Sequence, residues 1–231
     1  MALSLKHKYP SDSLLRFPLK ERKFAKTRTN LIFAFLSEFD SKDFDSIKIK
    51  DLCEIAEVSE PTFYNYFPEK GDLLLHYIQI WGLQVSVFAK EMKLSESGWG
   101  LLSALFRYTA KESKKNPRIL LEIISFQAKN KRTLHQSRLT GAERVLIFPN
   151  TAGIEELNAD GVEGIIQKAL SIAAKNGELP ESTDWKSFGM VLGSCFFGVP
   201  ILAFQLNQNL EKLWLDSLSY LWRGAGGIIK D

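Results

Sequence analysis

Cysteine and histidine are scarce in this chain: Cys53 and Cys195, with His7, His76 and His135, among 231 residues. None of them stands at metal-ligand spacing to another, so neither a zinc site nor a disulfide framework can be built, and the usage suits a reducing compartment. No Ser-His-Asp arrangement, phosphate loop or dinucleotide fingerprint can be assembled, so the chain is not read as an enzyme and no cofactor is expected. Strand-like alternation is also wanting. Its best candidate is "RVLIF", Arg144 to Phe148, read as a short extended piece. The start, "MALSLKHKYPSDSLLRFPLK", lacks the continuous apolar core of an export signal, which leads us to expect a cytoplasmic protein. Charge is missing altogether from Ser187 to Leu210, a stretch long enough to span a bilayer. Gly189, Gly193, Gly198, Pro200 and a polar end rich in Asn and Gln argue instead for a buried interface helix.

What is present is helical periodicity. Phe24, Leu31, Ile32, Phe35, Leu36 and Phe39 recur at helical spacing between Lys20 and Phe39. Ile49, Leu52, Cys53 and Ala56 share one face of a second, shorter stretch. Ser59 is a good N-cap for a third, with Pro61 in its first turn and Pro68 ending it after about two turns. Further helices are expected from Lys70 or Asp72 towards Met92, over Leu101–Lys115, Pro117–Gln136, Val162–Asn176, Trp185–Gln205 and Leu210–Arg223. Gly177, Pro180 and Thr183 or Asp184 punctuate the join before the last two. Residues 137–161 are the least readable. The chain reads as all-α.

The most specific stretch is "SEPTFYNYFPEKGDLL", residues 59 to 74. Two short helices joined by a tight turn on a longer one make a helix-turn-helix, whose second short helix enters a DNA major groove. Phe63 and Phe67 then point inward onto Leu52 and Ala56. Ser59, Pro61, Thr62, Tyr64, Asn65 and Tyr66 face the duplex. That face offers no Arg or Lys to guanine, but Asn65 matches adenine, and Pro61 and Thr62 suit a thymine methyl. A·T-rich contacts follow, with Tyr64 and Tyr66 serving phosphate. The net charge is only +3, yet Lys20, Arg22, Lys23, Lys26 and Arg28 cluster before this unit. Lys26 and Arg28, with Lys48, Lys50 and Lys70, are expected at phosphates.

From Thr27 to Leu74 the sequence resembles the DNA-binding domain of the tetracycline-repressor (TetR) family of bacterial transcription regulators. Thr27, Arg28, Phe39, Phe44, Leu52, Ala56, Val58, Ser59, Thr62, Tyr64, Phe67 and Lys70 match its pattern in order and spacing. Glu57 and Asp43 stand where that pattern has glycines, and Tyr66 where it often has histidine. Acids outnumber bases between Glu38 and Glu69, so the attraction to phosphate must come from Lys48, Lys50 and the earlier basic run. The resemblance implies a three-helix DNA-binding domain over 1–69 and a helical ligand-binding and dimerisation domain over 70–231. It also implies a homodimer through the C-terminal helices on a palindromic operator and a small-molecule effector. Val162–Lys175 and Trp185–Gln205 are the expected dimer helices, and Trp81, Trp99, Phe106 and Phe126 the candidate pocket aromatics. Two alternatives stand beside this reading: a related DNA-binding protein without an inducer, architectural or regulated by a protein partner, and an all-α enzyme or membrane-associated protein that uses the N-terminal domain only for packing.

Overall fold

The computed structural model describes residues 11–39, 41–91, 96–129, 138–157 and 161–229. Its helices are α1 (Ser11–Leu15), α2 (Leu19–Phe39), α3 (Ile49–Ala56), α4 (Glu60–Tyr66), α5 (Gly71–Glu91), α6 (Gly98–Ser113), α7 (Pro117–Lys129), α8 (Gly141–Ile147), α9 (Gly161–Lys175), α10 (Trp185–Gln205) and α11 (Leu210–Gly224). The described residues contain no strand. The "RVLIF" stretch, the best candidate for an extended piece in an otherwise all-α reading, is helical instead: Arg144 to Ile147 is the end of α8, which starts in a capping box between Thr140 and Glu143. Short apolar runs of this kind do not distinguish strand from helix by periodicity.

Two compact units share the chain. The first holds residues 1–81 and 130–157, the second 82–129 and 158–231. This division falls inside α5 and leaves α8 in the first unit.

In the first unit α2 packs on α3 and α8, and α3 on α4. Ala25, Leu31, Ile32, Phe35 and Phe39 of α2 are buried, together with Leu52, Cys53 and Ala56 of α3 and Phe63 of α4. The α3–α4 turn needs a left-handed residue, which Glu57 supplies at φ 56°. Its geometry closes α3 through Val58 N–H to the Cys53 carbonyl (2.9 Å) and Glu57 N–H to that of Glu54 (3.3 Å). A side chain in this conformation costs on the order of 1 kcal/mol relative to glycine.

In the second unit α6 packs on α9, α11 and α7, and α10 on α9, α11 and α7. Phe106, Phe196 and Trp214 form its aromatic centre, with ring centroids 5.1 to 5.4 Å apart. The start of α6 lies so close to α9 that a Cβ on Gly98 would meet the Ala169 carbonyl at 2.4 Å. Only glycine fits there. Gly177 (φ 62°) ends α9 in the left-handed conformation, as its sequence context predicts.

That turn delivers Glu178 to the N-terminus of α6. Its buried carboxylate accepts hydrogen bonds from the backbone N–H of Gly98 and Trp99 (both 3.0 Å), from Ser97 Oγ (3.2 Å) and from Asn176 Nδ2 (3.1 Å). Burial by itself would raise its pKa. The four donors outweigh that and hold it below the ordinary 4.5. A depressed carboxyl pKa contributes stability that is present above the unfolded value and is lost as pH falls through the folded one. Glu178→Gln should therefore cost about 2 kcal/mol near neutral pH. In urea unfolding, variant and wild type should converge as the pH falls below the ordinary carboxyl range and through the depressed pKa of the folded state. A gap that persisted in acid would point to lost packing rather than lost charge.

Candidate nucleic-acid interface

Helix α4 is short, and its ends are fixed by the residues that flank it. Ser59 caps it by accepting from the Thr62 N–H (3.3 Å), and its hydroxyl lies 2.8 Å from Thr62 Oγ1. Pro61 occupies the first turn, and the Phe67 N–H closes the helix on the Phe63 carbonyl (2.8 Å). Phe63 and Phe67 are buried with rings 5.9 Å apart, as their spacing predicts. The other side of the helix faces outward: Pro61 and Asn65 are exposed, Thr62 is half-buried, and Tyr64 keeps 48% of its surface open. Tyr66 is half-buried because its ring leans on Phe24 of α2 at 5.1 Å. The aromatics of this stretch thus divide between core and surface, with Tyr66 bridging the two.

Basic residues flank this face. Lys20, Lys23 and Lys26 are exposed along α2, three residues apart, on the helix that carries Phe24 against Tyr66. Lys48 is exposed at the N-cap of α3. Lys50 is exposed too, with its ammonium 4.0 Å from Glu54, a solvated pair that holds it weakly.

Two of the expected phosphate ligands, Lys70 and Arg28, make contacts within the protein. Lys70 turns its ammonium onto the carbonyls of Phe44 (2.8 Å), Ile47 (3.1 Å) and Asp45 (3.2 Å) and over the Phe44 ring. It neutralises the carbonyl end of the 3-10 turn Phe44–Ser46 and ties it to the start of α5. Arg28 is only 6% exposed. Its guanidinium lies between the Phe24 and Phe67 rings (5.2 and 5.3 Å to the centroids) and reaches His76 of α5 and Glu143 of α8.

Sequence reasoning passed over His76 and Glu143. Arg28 Nη2 lies 2.7 Å from His76 Nδ1, and Arg28 Nη1 is 3.5 Å from Glu143 Oε2. The His76 Nε2 is 3.2 Å from Glu143 Oε1, and both side chains are fully buried. Since Arg28 always carries its proton, Nδ1 must accept, which leaves the imidazole hydrogen on Nε2 facing the carboxylate. Burial first, and then Arg28, hold His76 below the ordinary imidazole value, while Glu143 pulls the other way. Burial would raise the Glu143 carboxyl, but His76, Arg28 and the Thr140 N–H outweigh it and keep it below its usual value. The Thr140–x–x–Glu143 capping box was the one signal in the sequence that something ordered begins there. His7 and His135 lie outside the described residues, and among those residues no group of His, Cys, Asp and Glu is disposed to hold a metal.

The candidate pocket aromatics are placed as follows. Phe106 is fully buried in the ring cluster with Phe196 and Trp214. Trp99 packs against Trp222 at 5.7 Å. Trp81 and Phe126 are half-buried on α5 and α7.

The first unit thus carries a helix-turn-helix whose second helix turns a polar side outward, and the described residues of the second unit are helical. Residues 34–77 match the family described as bacterial regulatory proteins, tetR family. The chain is similar in fold to Thermus thermophilus FadR, a TetR-family transcriptional repressor solved with lauroyl-CoA. That likeness has a TM-score of 0.61 at 20% identity, over 88% of this chain and 96% of that one. RolR solved with resorcinol is also similar, with a TM-score of 0.57 at 16% identity over 91% of each chain. No curated protein matches the chain.

Proposed function

We propose that this protein is a ligand-responsive repressor that binds a palindromic operator as a homodimer in the cytoplasm. The observation that carries the reading is the recognition helix itself. Phe63 and Phe67 anchor α4 so that Pro61, Thr62, Tyr64 and Asn65 stand outward together, within a segment that matches the tetR family. One such two-turn helix reads few base pairs, and a two-fold pair supplies the remainder. Asn65 is the adenine reader, Pro61 and Thr62 meet thymine methyls, and Tyr64, Tyr66, Lys20, Lys23, Lys26, Lys48 and Lys50 serve the backbone. Ser59 contributes through the cap that orients Thr62. Arg28 and Lys70 support the head from within.

The second copy docks on α10. Met190, Ser194, Gly198, Ile201, Leu202 and Gln205 share one side of this helix, opposite the buried Leu192, Phe196 and Ala203. That side is open, with Met190 60% and Leu202 53% exposed, and a Cβ built on Gly198 would meet nothing. The helix is long and apolar enough to cross a membrane. Its inward half is committed to the core of the second unit, so a two-fold mate suits it better than lipid. The expected share of α9 changes. Val162, Ile165, Ile166, Ala169, Leu170 and Ala173 are buried in their own protomer, leaving the polar Glu163, Gln167, Lys168 and Ser171 outside.

An effector is supported by the neighbours of like fold, one holding lauroyl-CoA and one resorcinol. It would act by binding better to one spacing of the two recognition helices than to the other.

Salt dependence tests the duplex reading. Duplex affinity should fall steeply with salt, and the slope of log K against log salt should shrink by about 0.9 for each phosphate contact removed. The variant K20Q/K23Q/K26Q should flatten it, and sites selected from random duplexes should be A·T-rich at the contacted core. An unchanged slope would remove this side of α2 from the interface, and a G·C-only core would remove Asn65 as reader.

A further inference from the structure

The buried Arg28–His76–Glu143 cluster joins three helices of the first unit. Arg28 comes from α2, His76 from α5 and Glu143 from α8, and the guanidinium is flanked by Phe67, the residue that closes the recognition helix. Glu143 is held in place by its own helix start, since its Oε2 also accepts from the Thr140 N–H at 2.8 Å. Helix α8 is continuous in sequence with the second unit on both sides, through α7 before it and α9 after it.

We propose that this cluster is a latch through which α8 fixes the frame of the recognition helix, with Glu143 as its positioning residue. This rests on the DNA-binding reading above. The physical ground is the cost of a broken buried pair: a guanidinium inside the unit without its carboxylate is far less stable there than the complete cluster. The latch is therefore two-state. With α8 seated, Arg28 is neutralised, and the Phe24–Arg28–Phe67 stack holds the end of α4 against α2. With α8 displaced, Arg28 must leave for water, and that stack opens. A change carried along the chain from α7 or α9 would in this way loosen α4 without touching it. The charged and titratable groups meeting His76 are Arg28 from α2 and Glu143 from α8.

The test is hydrogen exchange on the full chain together with binding to a random duplex, comparing wild type with Glu143→Gln. Exchange in α2 and α4 should rise about tenfold or more, while α6 and α9–α11 stay protected. Duplex affinity should fall by a factor of about five or more, with the salt slope unchanged because Arg28 touches no phosphate. Equal exchange in α2 and α4, or a rise spread evenly over both units, would overturn the latch. Wild type that fails to bind any duplex at low salt would instead sink the DNA-binding reading. Should Glu143→Gln not fold, nitrogen-15 spectra of the wild type decide. His76 must be the Nε2–H tautomer and stay neutral at pH values where a free imidazole is already protonated, and a His76 that titrates like a free imidazole would overturn the proposal.

Discussion

Ile201→Asp is expected to convert the protein into a folded monomer that binds duplex poorly. Ile201 is 39% exposed on the open side of α10, so the substitution removes little from the protomer's own core. In the proposed dimer the same position is buried beside its two-fold copy. Two carboxylates would then be desolvated and brought near each other, at a cost of several kcal/mol per buried ion. That corresponds to roughly a hundredfold or greater loss of dimer affinity. Sedimentation should show the change of mass, and far-ultraviolet circular dichroism should show unchanged helicity. Duplex binding should fall because the second half-site is no longer held at a fixed distance. An unperturbed dimer would move the interface elsewhere. Gly193 is a weaker place for this test, because it lies towards the edge of the open side of the helix.

Phe63→Ala should have the second large effect, on stability rather than on recognition. Phe63 is fully buried between Phe67 and Tyr64, with ring centroids 5.9 and 5.4 Å away. Truncating a buried phenylalanine costs about 3–5 kcal/mol through lost burial and the cavity left behind. Much of a small unit's stability would go with it. Urea unfolding should report a large fall in midpoint, and duplex binding should vanish as α4 loses its seat. Tyr64→Phe is the contrasting substitution. Its ring and its exposure are retained, so stability should move by no more than about 0.5 kcal/mol, while all duplex sequences should bind more weakly alike. If Phe63→Ala and Tyr64→Phe behaved the same, the division of the aromatics between core and surface would be wrong.

The amino-acid order by itself determined the local features of this protein. Apolar residues at helical spacing set the long helices, and Ser59, Pro61, Pro68 and Gly177 set where several begin or end. These signals act over one or two turns, so they can be read without knowing what packs on what. The inward turn of Phe63 and Phe67 was legible for the same reason: Leu52 and Ala56 lie only a turn away. Tertiary structure decided the fate of the charges. Arg28, in a basic stretch, and Lys70, just before α5, look like phosphate ligands. Their partners, though, are Glu143, more than a hundred residues on, and the carbonyls of the 3-10 turn. A guanidinium placed among apolar rings must find its counter-charge wherever the fold supplies one, and no local pattern says where that is. Helix α8 was hidden for a related reason. Seven residues cannot hold a helix alone, and its stability comes from α2, whose contact with it only the folded chain creates. Likewise α9 and α10 both carry apolar stripes in sequence, yet packing buries that of α9 in its own protomer and leaves one side of α10 open. Which face meets solvent depends on the neighbours each helix acquires, and those are set by the whole chain at once.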